Sequence, residues 1–160
     1  MIQARVSALE DHLGYWLRCL SNYVHHSFAG RLEVYGVSVA QWVVLRVLYD
    51  LEEAGSLTLN EAAERVGVDK STLSRMVDRL EQKGLASRDG ADGDRRFVRL
   101  ALTPEGRRLV PILAREADGN DQDFFRTLTD AQRREMGLAV ERLLKANGWE
   151  PSARGRDRME

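Results

Sequence analysis

The stretch LTLNEAAERVGVDKSTLSRMVDRLEQKGLASR, residues 57–88, decides the fold of this 160-residue chain. It opens with Thr58 and Glu61, which fit a capping box, because a hydroxyl and a carboxylate at this spacing bind the free amides of a helix start. The apolar periodicity that follows predicts a short helix over LNEAAERV. Gly67 is the predicted end of this helix, since glycine readily adopts the left-handed conformation that closes one.

A longer helix is predicted directly after that turn, over VDKSTLSRMVDRLEQK. Either Asp69 or Ser71 is its N-cap, because both side chains can accept a hydrogen bond from a free amide. Gly84 is its C-terminal stop. Two helices joined by so short a turn are typical of a helix-turn-helix.

The flanking residues complete a winged helix-turn-helix. Upstream, Ser38 and Gln41 fit another capping box, and VAQWVVLRVLYDLEE predicts an apolar-rich helix. Downstream, Leu85–Arg88 and Phe97–Leu102 predict two strands around a loop, because apolar and polar residues alternate in the second of them. The predicted fold class is therefore mainly α with a small β-hairpin wing.

The second helix of the pair has the residue types of a DNA recognition helix. Its predicted buried face consists of Leu73, Met76, Val77 and Leu80. Its first turns and outer face contain the predicted DNA-binding residues Lys70, Ser71, Thr72, Ser74, Arg75 and Arg79. Short hydroxyl side chains allow a close approach to bases, and basic side chains bind guanine or phosphate. Helix capping is the alternative role, but it accounts for only one of Ser71 and Thr72.

The wing loop RDGADGDRR contains the second set of predicted DNA contacts. A hairpin that follows a recognition helix reaches the adjacent minor groove, where arginine suits the concentrated negative potential. We expect Arg96 to enter that groove, Asp94 to hold it by a charge-assisted bond, and Arg95 to contact phosphate. The alternative is a solvated hairpin without a ligand.

The distribution of charge agrees with a localised polyanion site, although the net charge of the chain is −1. Between Arg65 and Arg108 there are 11 Lys and Arg against 7 Asp and Glu. Affinity for phosphate depends on local charge, so a basic middle in an acidic chain favours nucleic acid. Ordinary scatter of charged residues is the alternative explanation.

The N-terminal segment predicts one long helix over roughly residues 2–30. Its apolar residues recur at spacings of 4 and 3 from Ile2 to Tyr23, which is a heptad pattern. Such a stripe needs a partner, either the same domain or a second subunit. The residues predicted to form a homodimer interface are Val6, Leu9, Leu13, Trp16 and Leu20.

The C-terminal part predicts two more helices. The first starts at Thr103-Pro104-Glu105 and continues to about Phe125, with a kink or an interruption at Pro111. A capping box at Thr129–Gln132 starts the last helix, which ends near Lys145. The final residues, 147–160, are expected to form a flexible tail.

These motifs resemble the MarR family of winged helix-turn-helix transcription regulators. The residues that carry the resemblance are VAQWVVLRVL, the 57–88 stretch and the run DRRFVRLALTPEGRRL. The resemblance implies a homodimer that binds a pseudo-palindromic operator in double-stranded DNA, most often as a repressor. It implies three parts: residues 1–36 as the N-terminal dimerisation helix, 37–103 as the DNA-binding lobe and 104–146 as C-terminal dimerisation helices.

Many members of that family release DNA when a small aromatic or phenolic acid binds between the dimer helices and the DNA-binding lobe. Aromatic planes and a cation suit an aromatic carboxylate. The candidate effector-pocket residues in this chain are Trp16, Arg18, His26, Trp42 and Arg46. Each of them is also a common core or surface residue.

Other functions are less well supported by the sequence. Cys19 is expected to be a buried structural cysteine; the alternative is a redox-sensing regulator, since peroxide-sensing relatives have a cysteine on this helix, at the position of Gly14 in an ungapped alignment. His12, His25 and His26 do not have metal-ligand spacing, so neither a metal nor another cofactor is expected. The sequence contains no enzyme motif and no catalytic residues are assigned. The remaining alternative is a winged helix that binds protein.

The cellular compartment is predicted from two further features. A single cysteine excludes an internal disulfide, and the charged N-terminus lacks the apolar core of a signal peptide. There is no run of about 18 apolar residues, so no membrane contact is expected. These features indicate the cytoplasm.

Overall fold

The computed structural model describes residues 6–51, 57–89 and 99–148. It confirms a mainly helical winged helix-turn-helix. The elements, in chain order, are a 3₁₀ turn at Leu9–Asp11, α1 (Leu13–Glu33), α2 (Val39–Leu51), β1 (Leu57–Thr58), α3 (Leu59–Val66), α4 (Lys70–Gln82), β2 (Ala86–Asp89), β3 (Arg99–Leu102), α5 (Pro104–Phe124) and α6 (Asp130–Ala146).

The first helix starts later than the heptad pattern predicts, so the expectation of one helix from residue 2 is wrong. Residues 6–8 are not helical, and His12 is extended (φ −102°, ψ 119°). A local turn competes successfully with the helix, because the Asp11 carboxylate accepts from the Ala8 amide (2.9 Å). The indole Nε1 of Trp16 also donates to the Glu10 carbonyl (2.9 Å), which fixes this turn against the start of α1.

The caps of α3 are as predicted. The Thr58 amide donates to Glu61 Oε2 (2.9 Å), and the Glu61 amide donates to Thr58 Oγ1 (3.3 Å). Gly67 ends the helix with φ +81°. Asp69, and not Ser71, is the N-cap of α4, since its carboxylate accepts from the Thr72 amide (2.9 Å). The two caps together fix the turn between the helices.

Within the described residues the sheet has three strands, in the order β1-β3-β2, whereas the sequence predicts only two. β1 pairs antiparallel with β3, with Leu57 opposite Leu100. β2 also pairs antiparallel with β3, from Ala86 opposite Leu102 to Asp89 opposite Arg99. Leu100 and Leu102 are buried and Arg99 is exposed, in agreement with the predicted alternation.

The helix α5 begins as predicted and is not interrupted. Thr103 Oγ1 accepts from the Gly106 amide (3.0 Å), and Pro104 occupies the first turn. Pro111 lies inside the helix on its exposed side, and the helix continues to Phe124. Of the predicted kink or interruption at Pro111, the interruption is therefore wrong. α6 starts at the predicted capping box of Thr129 and Gln132.

The core lies where α2, α3, α4, β3 and the first half of α5 meet. Its fully buried large side chains are Leu32, Leu45, Leu73, Leu80, Leu100, Leu113, Val44, Val77 and Val110. Only Leu32 of this set comes from α1, and none comes from α6. Within the described ranges, no helix is both long and apolar enough to cross a membrane.

Candidate nucleic-acid interface

Helix α4 has one buried and one solvent-facing side. Leu73, Val77 and Leu80 are completely buried, as predicted, and Met76 is half-buried. On the other side Lys70, Ser71, Arg75 and Arg79 are exposed, and Thr72 and Ser74 are half-buried. The packing of the apolar side thus presents the six predicted DNA-binding residues of α4 along its polar side.

The Asp69 carboxylate binds the two hydroxyl groups at the start of the polar side of α4. Ser71 Oγ donates to Asp69 Oδ1 (2.5 Å), and Thr72 Oγ1 donates to Asp69 Oδ2 (2.6 Å). These bonds, first that from Ser71, hold the pKa of Asp69 well below its usual range. Because both hydroxyl hydrogens are used, the two oxygens face outward mainly as acceptors. Both hydroxyls therefore bind the carboxylate of the N-cap Asp69, and neither Ser71 nor Thr72 is the N-cap itself.

The basic residues of α4 are available for contact with a polyanion. Arg75 reaches back one turn, and its Nε lies 3.4 Å from the Ser71 carbonyl as a hydrogen-bond donor. Among the described residues this is the one hydrogen bond of the Arg75 side chain, so its other four guanidinium donors can bind a ligand. Lys70 at the first position and Arg79 two turns further are exposed on the same helix.

Ser74 has a partner that the sequence analysis missed. Arg88, in β2, donates from Nη2 to Ser74 Oγ (3.1 Å) and to the Ser74 carbonyl (2.9 Å). Its Nη1 donates to Asp78 Oδ1 (2.6 Å) and forms a second ion pair with Glu81. The sequence shows only that Arg88 is a basic residue at the end of a predicted strand. It does not reveal the ion pairs of Arg88, because the partner carboxylates lie on another element, α4.

Asp94, Arg95 and Arg96 lie outside the described residues, so their predicted roles stay predictions. Arg99 is the nearest described basic residue of the second wing strand, and its side chain is exposed.

The predicted dimer residues are largely solvent-exposed in the single chain. The exposed fraction is 91% for Val6, 61% for Leu9, 65% for Leu13 and 53% for Trp16, and Leu20 is half-buried. Leu138, Val140, Leu143 and Leu144 are exposed in the same way on α6, so both terminal helices present apolar surface.

The five candidate effector-pocket residues have separate surroundings. Trp42 is half-buried against Phe28, with ring centroids 6.4 Å apart. Arg46 pairs with Asp50 on its own helix (3.0 Å), Arg18 is exposed, and Trp16 bonds the N-terminal turn. His26 lines a pocket of about 650 Å³, which lies between α1, α2 and the end of α4.

A second pocket, of about 450 Å³, opens between α1, α2, α5 and α6. Phe28 and Phe125 contribute aromatic walls, and His25 and the buried Asn120 contribute polar groups. The sequence analysis missed it, because its lining comes from four elements that are distant in the chain.

Cys19 is half-buried on α1, so the expectation of a buried cysteine is not met. A side-chain hydrogen bond with Cys19 raises the pKa of Tyr15, one turn earlier. Among the described residues, His, Cys, Asp and Glu form no group of three or more that could hold a metal.

The comparisons with known proteins give one family. A model described as the MarR family matches residues 35–96. The HTH-type transcriptional repressor MdtR of Bacillus subtilis is 41% identical over 90 residues, which are 56% of this chain and 56% of that protein. The HTH-type transcriptional regulator YsmB of the same organism is 31% identical over 101 residues, covering 63% of this chain and 67% of that protein. The chain thus matches between about half and two thirds of the length of these relatives.

A solved structure extends the likeness to nearly the whole fold. CouR from Rhodococcus jostii RHA1, bound to p-coumaroyl-CoA, has a TM-score of 0.72 and 26% sequence identity. The alignment covers 91% of this chain and 100% of that one. The shared architecture therefore includes the terminal helices as well as the DNA-binding lobe.

Proposed function

We propose that this chain, which belongs to the MarR family, is a transcription regulator that binds a specific sequence in double-stranded DNA as a homodimer, and that it acts as a repressor. α4 is the recognition helix in this proposal and lies in the major groove. Its operator is pseudo-palindromic, because a two-fold dimer presents two identical helices. Such a role places the protein with the chromosome, in the cytoplasm.

The observation that carries the proposal is the polar side of α4. An acceptor pair at Ser71 and Thr72, a donor at Ser74 and the exposed Arg75 follow one another along a helix whose opposite side is fixed in the core. A base edge in the major groove presents donors and acceptors in a pattern of this kind. A solvated helix surface needs no such order.

A second copy of the chain is supported by the exposed apolar residues of the N-terminal segment before α1, of α1 itself and of α6. A monomer with Val6, Leu9 and Leu13 on one end and Leu138 and Leu143 on the other would expose a large apolar surface. Pairing of two chains through these segments removes it from water. It also sets the distance between the two recognition helices.

A small aromatic acid is the proposed effector, and the 450 Å³ pocket is its proposed site. Phe28 and Phe125 can hold an aromatic ring, and His25 can pair with a carboxylate. The solved relative CouR binds p-coumaroyl-CoA, which contains an aromatic acyl group. A ligand in this pocket, between the terminal helices and α2, moves the DNA-binding lobe only if it binds one geometry of the dimer more tightly than the other.

Selection from a pool of random 30-base-pair duplexes tests the proposal. The full chain should enrich an inverted repeat whose half-sites lie about one helical turn apart. 4-Hydroxycinnamate should then release the enriched duplex in fluorescence anisotropy, and Phe125→Ala should reduce this release. A pool without an enriched motif, together with weak binding that depends only on salt, would contradict the DNA-binding role.

A further inference from the structure

Arg88 joins the recognition helix to the wing through five hydrogen bonds. Its backbone amide donates to Glu81 Oε1 (2.9 Å), and its guanidinium donates to Glu81, Asp78 and Ser74. All three partners lie on α4, whereas Arg88 lies in β2. Among the side chains that the structure describes, which exclude that of Asp89, every hydrogen bond between α4 and β2 includes an atom of Arg88.

The positive charge of Arg88 is neutralised by ion pairs within the protein. Two carboxylates face one guanidinium, so the cluster as a whole has no surplus of positive charge to attract phosphate. The Arg88 side chain is 22% exposed, compared with 52% for Asp78. A basic residue at the base of a wing would ordinarily be assigned to the DNA backbone, but the geometry here favours an internal role.

The position of β2 explains why such a tie is needed. β2 is an edge strand of the described sheet, since the order β1-β3-β2 leaves β3 as its one neighbour among the described strands. On its other edge the Arg88 amide donates to Glu81 of α4, so Arg88 connects that edge to the helix. A recognition helix and a wing that enter adjacent grooves need a fixed spacing, because each must reach its groove at the same time.

Arg88 also orients one of the predicted base-reading groups. The Ser74 hydroxyl accepts from Nη2, which directs its own hydrogen away from Arg88. The Ser74 carbonyl accepts from the same nitrogen, so Nη2 fixes the hydroxyl and the backbone of α4 together, while Nη1 binds Asp78 and Glu81.

We propose that Arg88 is a positioning residue for DNA recognition, which sets the spacing of α4 and the wing and orients Ser74 without contacting DNA. This inference rests on the proposed function. It assigns the specificity of the chain in part to a residue outside the protein–DNA contact.

Arg88→Lys is the principal test, because lysine keeps the charge but cannot form the bidentate fork. The Kd for the selected duplex and for a scrambled duplex of equal length is measured by fluorescence anisotropy at several salt concentrations. The variant should lose about tenfold in affinity for the selected duplex and little for the scrambled one. The slope of log Kd against log salt should not change, since no phosphate contact is removed.

Glu81→Gln separates positioning from electrostatics by the sign of the effect. Removal of a negative charge beside a DNA-binding surface tightens binding if charge alone matters. Loss of the Arg88 partner weakens binding to the selected duplex if positioning matters.

Asp78→Asn is a second test, to be used if Arg88→Lys lowers the melting temperature strongly, because the Asp78 carboxylate is half exposed. Arg31→Lys is the matched control, since Arg31 also pairs with two carboxylates, Glu116 and Asp123, but both of them lie on α5 and not on the wing.

Each result decides the question. Equal weakening on both duplexes with a shallower salt slope would make Arg88 a phosphate contact and overturn the proposal. An unchanged preference in Arg88→Lys and in Asp78→Asn would overturn it as well. If the wild-type chain itself shows no preference between the two duplexes, the proposed function fails, and the positioning role fails with it.

Discussion

Gly106, in the first turn of α5, packs directly against the backbone of Leu85 between α4 and β2. A β-carbon on Gly106 would lie 2.1 Å from the Leu85 carbonyl oxygen. Thr103 strengthens the same junction, because its hydroxyl donates to the Gly84 carbonyl (2.6 Å) and its amide to the Leu85 carbonyl (3.2 Å). The run Leu-Thr-Pro-Glu-Gly that carries the family resemblance thus connects the end of the recognition helix to the second half of the chain.

Gly106→Ala should therefore destabilise the fold by about 3 kcal/mol, because the added methyl group meets a backbone atom that cannot rotate away. Urea unfolding followed by circular dichroism measures the effect. Gly30→Ala is the control, since nothing lies within 4 Å of its β-carbon position on α1. This control should stabilise the chain by roughly 0.5–1 kcal/mol. Equal stability of the Gly106→Ala variant and the wild type would contradict the close packing.

The Asp69 cap should make the stability of the lobe depend on pH. The bonds from Ser71 and Thr72 lower the pKa of Asp69 in the folded chain. The stabilisation is therefore complete above the unfolded pKa of about 4 and is lost as the pH falls through the lower folded value. The difference in melting temperature between the wild type and Asp69→Ala should be largest near pH 7 and should shrink below about pH 4.

Asp69→Asn separates the cap from its charge. Asparagine is an equally good N-cap but does not titrate. Its melting temperature relative to Asp69→Ala should stay constant between pH 7 and pH 3. A difference between wild type and Asp69→Ala that also stays constant over this range would show that the carboxylate does not carry the effect.

The elements that the sequence predicts best are those with local signals. The capping boxes at Ser38, Thr58 and Thr129 involve residues three apart, so the chain near each of them determines the helix start. The left-handed stops at Gly67 and Gly84 are local in the same way. α2, α3, α4 and α6 consequently begin where predicted.

The elements that were missed depend on contacts between distant residues. β1 has only two residues, and its strand character comes from pairing with β3 some forty positions later. The heptad spacing continues through the break before α1, so the sequence predicts helix there. A hydrophobic pattern does not reveal the competing bond from the Ala8 amide to Asp11. Arg88 and the 450 Å³ pocket were missed for the same reason.

The terminal segments should hold two chains together. Leu13, 65% exposed on α1, lies on the predicted seam. Sedimentation equilibrium at micromolar concentration should give about twice the 18.1 kDa chain mass for the wild type and a mass near 18.1 kDa for Leu13→Asp. Tyr49→Asp, an exposed aromatic residue on α2, should remain dimeric. A wild type that stays monomeric at high concentration would contradict this assembly.

For the predicted wing pair Asp94 and Arg96, electrostatics and preorganisation predict opposite effects of Asp94→Ala on DNA affinity. Asp94→Ala raises the local positive charge, so electrostatics alone predicts tighter binding to the selected duplex. If Asp94 preorganises Arg96, the same change weakens binding. Arg96→Ala should weaken binding strongly, and Asp94→Ala should add little to it in a double-mutant cycle. Full additivity, or tighter binding by Asp94→Ala, would exclude the holding role.

Arg75→Ala is the most direct test of the central claim that α4 reads a DNA sequence. Equilibrium anisotropy at one fixed salt concentration compares the variant with the wild type on the selected duplex, on single-base variants of it and on a scrambled duplex. The account predicts a loss of about 1–3 kcal/mol on the selected duplex, a relaxed preference at one base position and little change on the scrambled one. An equal loss on all duplexes would contradict base readout by α4 and leave Arg75 as a phosphate contact.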